Sequence, residues 1–191
     1  EMFNESVKYL RNSDTAEIPV DIYAMDKKIN AFERDVRRKV MTHLAVGGKE
    51  DIGSGLILVS VVIDIERIGD YTKNIYDLAV QHPKKLECGS YEDKVSQIEN
   101  SSKDFLNKAA STFKSQDIDS ARELMKEYKI EISSESSELV NSIISGSNDE
   151  FSSSQASAVC LYLRYLKRIS AHSRNLVSSI VNPFERIGYP E

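Results

Sequence analysis

Long segments of this chain place apolar residues three and four positions apart, and short groups of glycine, proline or polar residues separate them. Between Pro19 and Val46, for example, Ile22, Met25 and Ile29 follow this spacing. The pattern is typical of helices that bury one face. Glycine and proline are scarce, and charged residues make up 29% of the 191 residues. This composition favours an all-α protein.

Six helices are predicted, over residues 2–12, 19–46, 50–81, 91–115, 117–145 and 151–181. Helices of about 30 residues that are joined by short turns usually lie antiparallel in bundles. We therefore expect two tandem antiparallel three-helix bundles. The first domain would cover residues 1–83 and the second residues 90–182.

Composition also excludes several classes of protein. A net charge of -5 argues against nucleic-acid binding, which needs a basic surface. No apolar run approaches the ~20 residues that cross a bilayer. Cys88 and Cys160 lack CxxC spacing, so we expect two reduced thiols in a cytoplasmic protein, without a disulfide or metal role.

The segment Asp64-Ile65-Glu66-Arg67-Ile68-Gly69-Asp70 carries the strongest functional signal. Glu66 and Asp70 are four residues apart, so they share one face of the third predicted helix. Carboxylates beside a packed core need a cationic partner. Gly69 is unfavourable within a helix, which predicts a close approach of a neighbouring helix or a metal there.

A hairpin around Gly48 would bring further oxygen atoms to this level. Asp26 and Asp70 each lie 22 residues from Gly48, and Asn30 and Glu66 each lie 18 residues from it. We therefore expect these four side chains to cluster between the second and third helices. The stripe would be extended by Glu33, Asn74 and Asp77.

Crowded acids repel one another unless a cation lies among them. Oxygen ligands of this kind suit iron, manganese, magnesium, calcium and, less well, zinc. The alternative is a solvated face on which the acids pair with nearby basic side chains. The candidate partners are Arg34, Arg37, Arg67 and Lys73.

The two halves of the chain resemble a degenerate repeat with an offset of 101 positions. This offset places Arg67-Ile68 on Arg168-Ile169 and Asn74 on Asn175. Glu66 then corresponds to Lys167 and Asp70 to Ala171, so the second half loses both acids. Lys167 and Glu131 each lie 18 residues from Asp149, which predicts an ion pair in place of a metal.

The segment Glu66-Arg67-Ile68-Gly69-Asp70, followed by Asn74, resembles the acidic motif of the PhoU family of helical phosphate-uptake regulators. The segment 165–172 with Asn175 resembles a second copy without the acids. Met25-Asp26-Lys27-Lys28-Ile29-Asn30 is similar to the acidic segment of the family's preceding helix. The resemblance implies two tandem three-helix bundles and covers about residues 21–181.

The resemblance also implies a function and a set of metal ligands. Members of the family regulate phosphate transport and its two-component signalling without catalysis, in the cytoplasm beside a membrane phosphate transporter or a sensor histidine kinase. It makes Asp26, Glu66 and Asp70 the expected ligands, with Glu33 and Asn74 as weaker ones. Iron or zinc are the leading metals, with manganese or magnesium as alternatives. A homodimer, attached to the membrane only through its partner, is compatible with this role.

Three alternatives stay open. Related domains occur on sodium–phosphate cotransporters and other ion transporters, and a chain that starts at Glu1 is compatible with that origin. A di-metal carboxylate enzyme is less favoured, because it would want Glu-x-x-His pairs, and His43, His82 and His172 do not form them. A phosphotransfer bundle would need an exposed histidine, with His172 or His43 as candidates.

Overall fold

Helices form where the apolar spacing and the breaker residues predict them. A computed structural model describes residues 1–13, 20–47, 49–82, 84–146 and 150–190. Its helices are α1 Met2–Asn12, α2 Ile22–Val46, α3 Ile52–Gln81, α4 Glu92–Ser115, α5 Ile118–Glu127, α6 Glu135–Ile144 and α7 Ser153–Val181. No strand occurs in these residues, so the all-α prediction is confirmed.

The fifth predicted helix is a composite of three segments. A π-helical segment, Tyr128–Ser134, joins α5 to α6, and the residues on either side of it keep helical backbone angles. The three segments therefore act as one long helix, so the described ranges contain six helices. A π turn accommodates one more residue per turn and shifts the faces of the helix beyond it.

Side-chain caps set three of the helix starts. Asp21 accepts a hydrogen bond from the amide of Ala24, so α2 begins at Ile22. Pro19, the expected first residue of this helix, lies outside the described residues, as do the expected turn residues Gly48, Pro83 and 147–149. Asp117 caps α5 as predicted, by accepting from the amides of Asp119 and Ser120. Ser152 caps α7.

One continuous core joins the two halves of the chain. Its largest buried cluster includes Phe3 from α1, Ile75 from α3, Val95 from α4, and Tyr162 and Leu166 from α7. The contact between α3 and α7 is the most extensive of any pair of helices. The two predicted domains thus share a core, and their boundary stays a prediction. No helix among the described residues is long and apolar enough to span a bilayer.

Candidate metal centre

The helices α2 and α3 form an antiparallel hairpin, as the sequence predicts. At one end, His43 Nε2 lies 2.9 Å from Asp51 Oδ2. At the other end, the Tyr23 hydroxyl donates to Asp77 Oδ1 at 2.6 Å and raises the pKa of Tyr23 to about 12. These contacts join the two arms of the hairpin near both of its ends.

Gly69 lies at a close approach of α3 to the Ile29 side chain of α2. A Cβ atom at Gly69 would be 2.9 Å from Cδ1 of Ile29, closer than carbon atoms pack. The prediction that this glycine allows a close helix approach is confirmed. The approach brings the acidic faces of α2 and α3 together.

Asp26 and Asp70 face each other across the hairpin, as their equal distance from Gly48 predicts. The ammonium of Lys73 lies between them and donates to Asp70 Oδ1 at 3.2 Å and to Asp26 Oδ2 at 3.5 Å. Burial lowers the pKa of Lys73, but the two carboxylates outweigh this effect and raise it. The amide of Asn30 also donates to Asp26, at 3.2 Å. An internal cation thus occupies the space between the two best-placed acids.

The carboxylate of Glu66 interacts electrostatically with three other acids. Burial raises the pKa of Glu66, the carboxylates of Asp70, Glu33 and Asp26 raise it further, and Arg67 opposes the shift. The four acids therefore form one electrostatic cluster. We call Asp26, Glu33, Glu66 and Asp70 the acid cluster.

Basic side chains pair with the acid cluster from its edges. Arg37 lies 2.8 Å from Glu33, and Arg67 donates to Asp70 Oδ2 at 3.1 Å. These are among the partners expected for a solvated face. The acidic side chains are nevertheless only 12–26% exposed, so the cluster is half-buried.

The ligand chemistry of the acid cluster fits a hard cation, because every donor is a carboxylate oxygen. The present arrangement of these side chains does not fit a metal ion. Within the described ranges, no three His, Cys, Asp or Glu side chains are placed to hold one. Asn74 is half-buried and makes no hydrogen bond to Asp26 or Asp70. Binding a metal would require the ammonium of Lys73 to leave, and metal binding stays a prediction.

Comparison with known families places this hairpin. Residues 1–79, which contain all four members of the acid cluster, match the family model of the PhoU domain. This stretch of the chain is thus similar to the PhoU family. The resemblance seen in the sequence is confirmed.

The rest of the chain continues the PhoU fold. The structure of PhoU from Pseudomonas aeruginosa superposes with a TM-score of 0.82 at 22% identity, over 94% of this chain and 87% of that one. The phosphate transport system regulatory protein PhoU from Streptococcus pneumoniae superposes with a TM-score of 0.71 at 20% identity, over 84% and 75% of the two chains. A search of curated proteins found no match. These likenesses establish the helical fold.

The second half of the PhoU fold departs from one prediction. Lys167 donates to Ser137 Oγ at 2.6 Å rather than pairing with Glu131, and the neighbouring cations Arg164 and Arg168 add to the burial that lowers its pKa. Glu131 instead acts on Lys108, whose pKa it helps to raise. The predicted ion pair between Glu131 and Lys167 is therefore wrong. The π-helical segment, which contains Glu131, changes the face that this side chain presents.

A buried polar network between α3 and α7 was missed by the sequence analysis. Asp64 is only 7% exposed, and its Oδ1 atom lies 2.7 Å from His172 Nδ1 and 2.9 Å from Asn175 Nδ2. Tyr71 stacks on the His172 ring at a centroid distance of 5.7 Å. The sequence signal for this network was Asp64 itself, a single acid in the apolar run before Glu66. The network ties residues 1–79, which match the PhoU domain model, to the second half of the chain.

The two histidines considered for phosphotransfer have other roles. The His172 ring is largely buried, with its Nδ1 atom against Asp64 and its Nε2 atom enclosed. His43 is exposed and lies beside Asp51 at the end of the hairpin.

Proposed function

We propose that this chain is a non-catalytic regulator of phosphate transport and phosphate-responsive signalling. The observation that carries the proposal is the PhoU domain match over residues 1–79, together with the acid cluster inside it. The fold likeness to two PhoU regulatory proteins supports it. The protein would act in the cytoplasm by docking on a membrane phosphate transporter or a sensor histidine kinase, without binding nucleic acid.

We further propose that the acid cluster binds a metal ion. Asp26, Glu66 and Asp70 would supply the main ligands, with Glu33 and Asn74 as additional ones. Iron or zinc are the first candidates, and manganese or magnesium the next. A bound cation would neutralise the mutual repulsion that raises the pKa of Glu66. It would also hold α2 against α3 in place of Lys73.

Metal analysis tests the second proposal directly. Purified protein is incubated with Fe(II), Zn(II), Mn(II) or Mg(II), desalted, and analysed for metal by mass spectrometry. Wild-type protein should retain metal, and the Glu66→Gln/Asp70→Asn variant should lose it. Asp119 and Glu123 share the same spacing on the exposed face of α5, so Asp119→Asn/Glu123→Gln is the matched control.

Lys73→Met is a further variant that tests whether a metal competes with the ammonium of Lys73. Removing the ammonium leaves Asp26 and Asp70 without their shared cation. If a metal competes for that position, the variant should bind it more tightly than wild type. Equal and near-zero metal in wild type and in Lys73→Met would reject the metal proposal and leave the fold intact.

A regulatory domain of a sodium–phosphate cotransporter or another ion transporter is the second candidate, since the family resemblance extends to such domains. A di-metal carboxylate enzyme is the least favoured, because the acid cluster contains no histidine. A phosphate-starvation reporter tests regulation in the source cell. Deleting the gene should change reporter output at high phosphate, and the wild-type gene should restore it. An unchanged reporter would contradict a role in phosphate signalling.

A further inference from the structure

The second half of the chain contains a cavity of about 680 Å³ that the acid cluster does not touch. It lies between α5, the π-helical segment, α7 and the carboxy-terminal residues that follow Pro183. Its size is within the range of small-molecule sites. We call it the α5–α7 cavity.

The carboxy-terminal segment folds back to form one wall of this cavity. The amide of Asn182 donates to the carbonyl groups of Arg186 and Tyr189, and the amide of Gly188 donates to Ser178 Oγ on α7. Gly188 has a φ of 84°, and a Cβ atom there would be 2.7 Å from Asn175 Oδ1. The wall that carries Tyr189 is thus anchored to α7 by specific contacts.

The described residues that line the α5–α7 cavity include three cations and no carboxylate. Arg122 and Lys126 come from α5, and Arg174 comes from α7. Arg122 also lies 3.7 Å from the exposed Asp119, which is outside the lining. The cavity therefore attracts anions, although the whole chain has a net charge of -5.

The guanidinium of Arg174 is fixed in position by its neighbours. Its guanidinium lies 4.9 Å from the centre of the Tyr128 ring, and its Nη2 atom donates to the carbonyl of Gly188. Its Nε atom is buried and has no hydrogen-bond partner within the described part of the chain. A guanidinium that is fixed on an aromatic ring loses little freedom when it binds a phosphate or carboxylate.

The rest of the lining is apolar or aromatic. Met125, Tyr128, Tyr189 and Pro190 offer flat or flexible apolar surface next to the three cations. Such a surface favours a ligand body that stacks or packs, whereas inorganic phosphate alone would leave it uncovered.

We propose that the α5–α7 cavity binds a small molecule in which a phosphate group is joined to an aromatic or apolar body. A nucleoside monophosphate is the simplest water-soluble example, and a phospholipid headgroup with its acyl chains is the other source of this chemistry. Arg122 and Arg174 would bind the phosphate, and Tyr128 and Tyr189 would pack against the body. The proposal is independent of the acid cluster and of any metal there.

Calorimetric titration of the purified chain tests the proposal with four probes: AMP, adenosine, inorganic phosphate and dihexanoyl phosphatidic acid. Saturable binding of AMP, or of the phosphatidic acid, that exceeds binding of inorganic phosphate would support it and identify the source. If inorganic phosphate binds as tightly as AMP and the phosphatidic acid, the proposed apolar contacts with the ligand body are rejected. If neither AMP nor the phosphatidic acid binds, the whole proposal is rejected.

Variants assign the binding to this cavity. Arg122→Gln should weaken binding about tenfold or more, because one charge-assisted hydrogen bond is lost. Tyr189→Ala should weaken the larger probes and leave inorganic phosphate unchanged. Both side chains are exposed, so folding should survive, and melting curves would verify this. Arg38→Gln on α2 is the exposed control, and binding that is indifferent to Arg122→Gln and Tyr189→Ala would reject the site.

Discussion

Replacing Asp64 with alanine should destabilise the protein more than any substitution of an exposed acid. Asp64 is nearly buried on α3, and one of its oxygen atoms accepts hydrogen bonds from His172 and Asn175 on α7. The substitution would leave both donors facing an apolar gap. Because α3 and α7 form the main contact between the two halves, the loss should affect the cooperative unfolding of the whole chain.

The structure sets the expected magnitude. A buried donor that loses its partner costs about 1–3 kcal/mol, and Asp64→Ala leaves two such donors. Some of that cost is offset because a carboxylate no longer has to be desolvated. We therefore expect a loss of about 2–4 kcal/mol in the free energy of unfolding. For a chain of this size, this corresponds to a decrease in Tm of about 5–15 °C.

Urea unfolding followed by circular dichroism measures this loss. In a His172→Ala background, Asp64→Ala should cost less, because one of the two stranded donors is already gone, and the difference measures the coupling. Asp35→Ala, at an exposed acid on α2, is the control and should leave the unfolding curve unchanged. An Asp64→Ala curve that overlays wild type, or full additivity with His172→Ala, would refute the network as a stabilising contact.

Three further predictions follow from single sites. Glu66→Gln should stabilise the metal-free protein near neutral pH. Because the pKa of Glu66 is raised in the folded state, the folded protein binds this proton more tightly than the unfolded chain does. Wild type therefore loses stability as the pH rises from the pKa of the unfolded state through the pKa of the folded state. Melting temperatures from pH 3 to 8 should show the gain vanish in acid, and parallel curves would contradict this. Gly69→Leu should lower the free energy of unfolding by about 1–3 kcal/mol through overpacking against Ile29. In urea unfolding, adding Ile29→Ala to this variant should recover part of the loss. An unchanged urea midpoint for Gly69→Leu would be evidence against the close approach. Iodoacetamide at pH 8 should label native Cys160 before Cys88, because Cys88 is fully buried and burial raises its thiol pKa to about 11; mass spectrometry showing equal labelling would exclude this.

The helices were predictable because apolar spacing and breaker residues act locally. The third helix was expected over residues 50–81 and covers Ile52–Gln81. The π-helical segment Tyr128–Ser134 was not predictable, because its sequence continues the same apolar spacing. Its position depends on packing between distant residues, such as Tyr128 against Phe105. The error at Glu131 follows directly from it.

The acid cluster was partly predictable for a geometric reason. Counting residues from the hairpin turn places Asp26 level with Asp70, and helix geometry makes that count accurate to about one turn. The count does not identify which nearby cation enters the space between them. That depends on the reach of Lys73 across the hairpin. The Asp64 network joins residues more than 100 positions apart, and no local pattern encodes such a partner.

The predicted offset of 101 positions between the two halves also aligns their cations. It places Arg174 at the position of Lys73, and Ala171 at the position of Asp70. Lys73 is neutralised by Asp70 and by a second acid on α2. Its counterpart Arg174 instead lies over the Tyr128 ring, and Glu127, at the position of that second acid, pairs with a lysine of α4. Within the described part of the chain, Arg174 therefore forms no ion pair with a carboxylate. On this reasoning, related scaffolds favour opposite charges: the first half attracts a cation to its acids, and the second half offers its arginine to an anion.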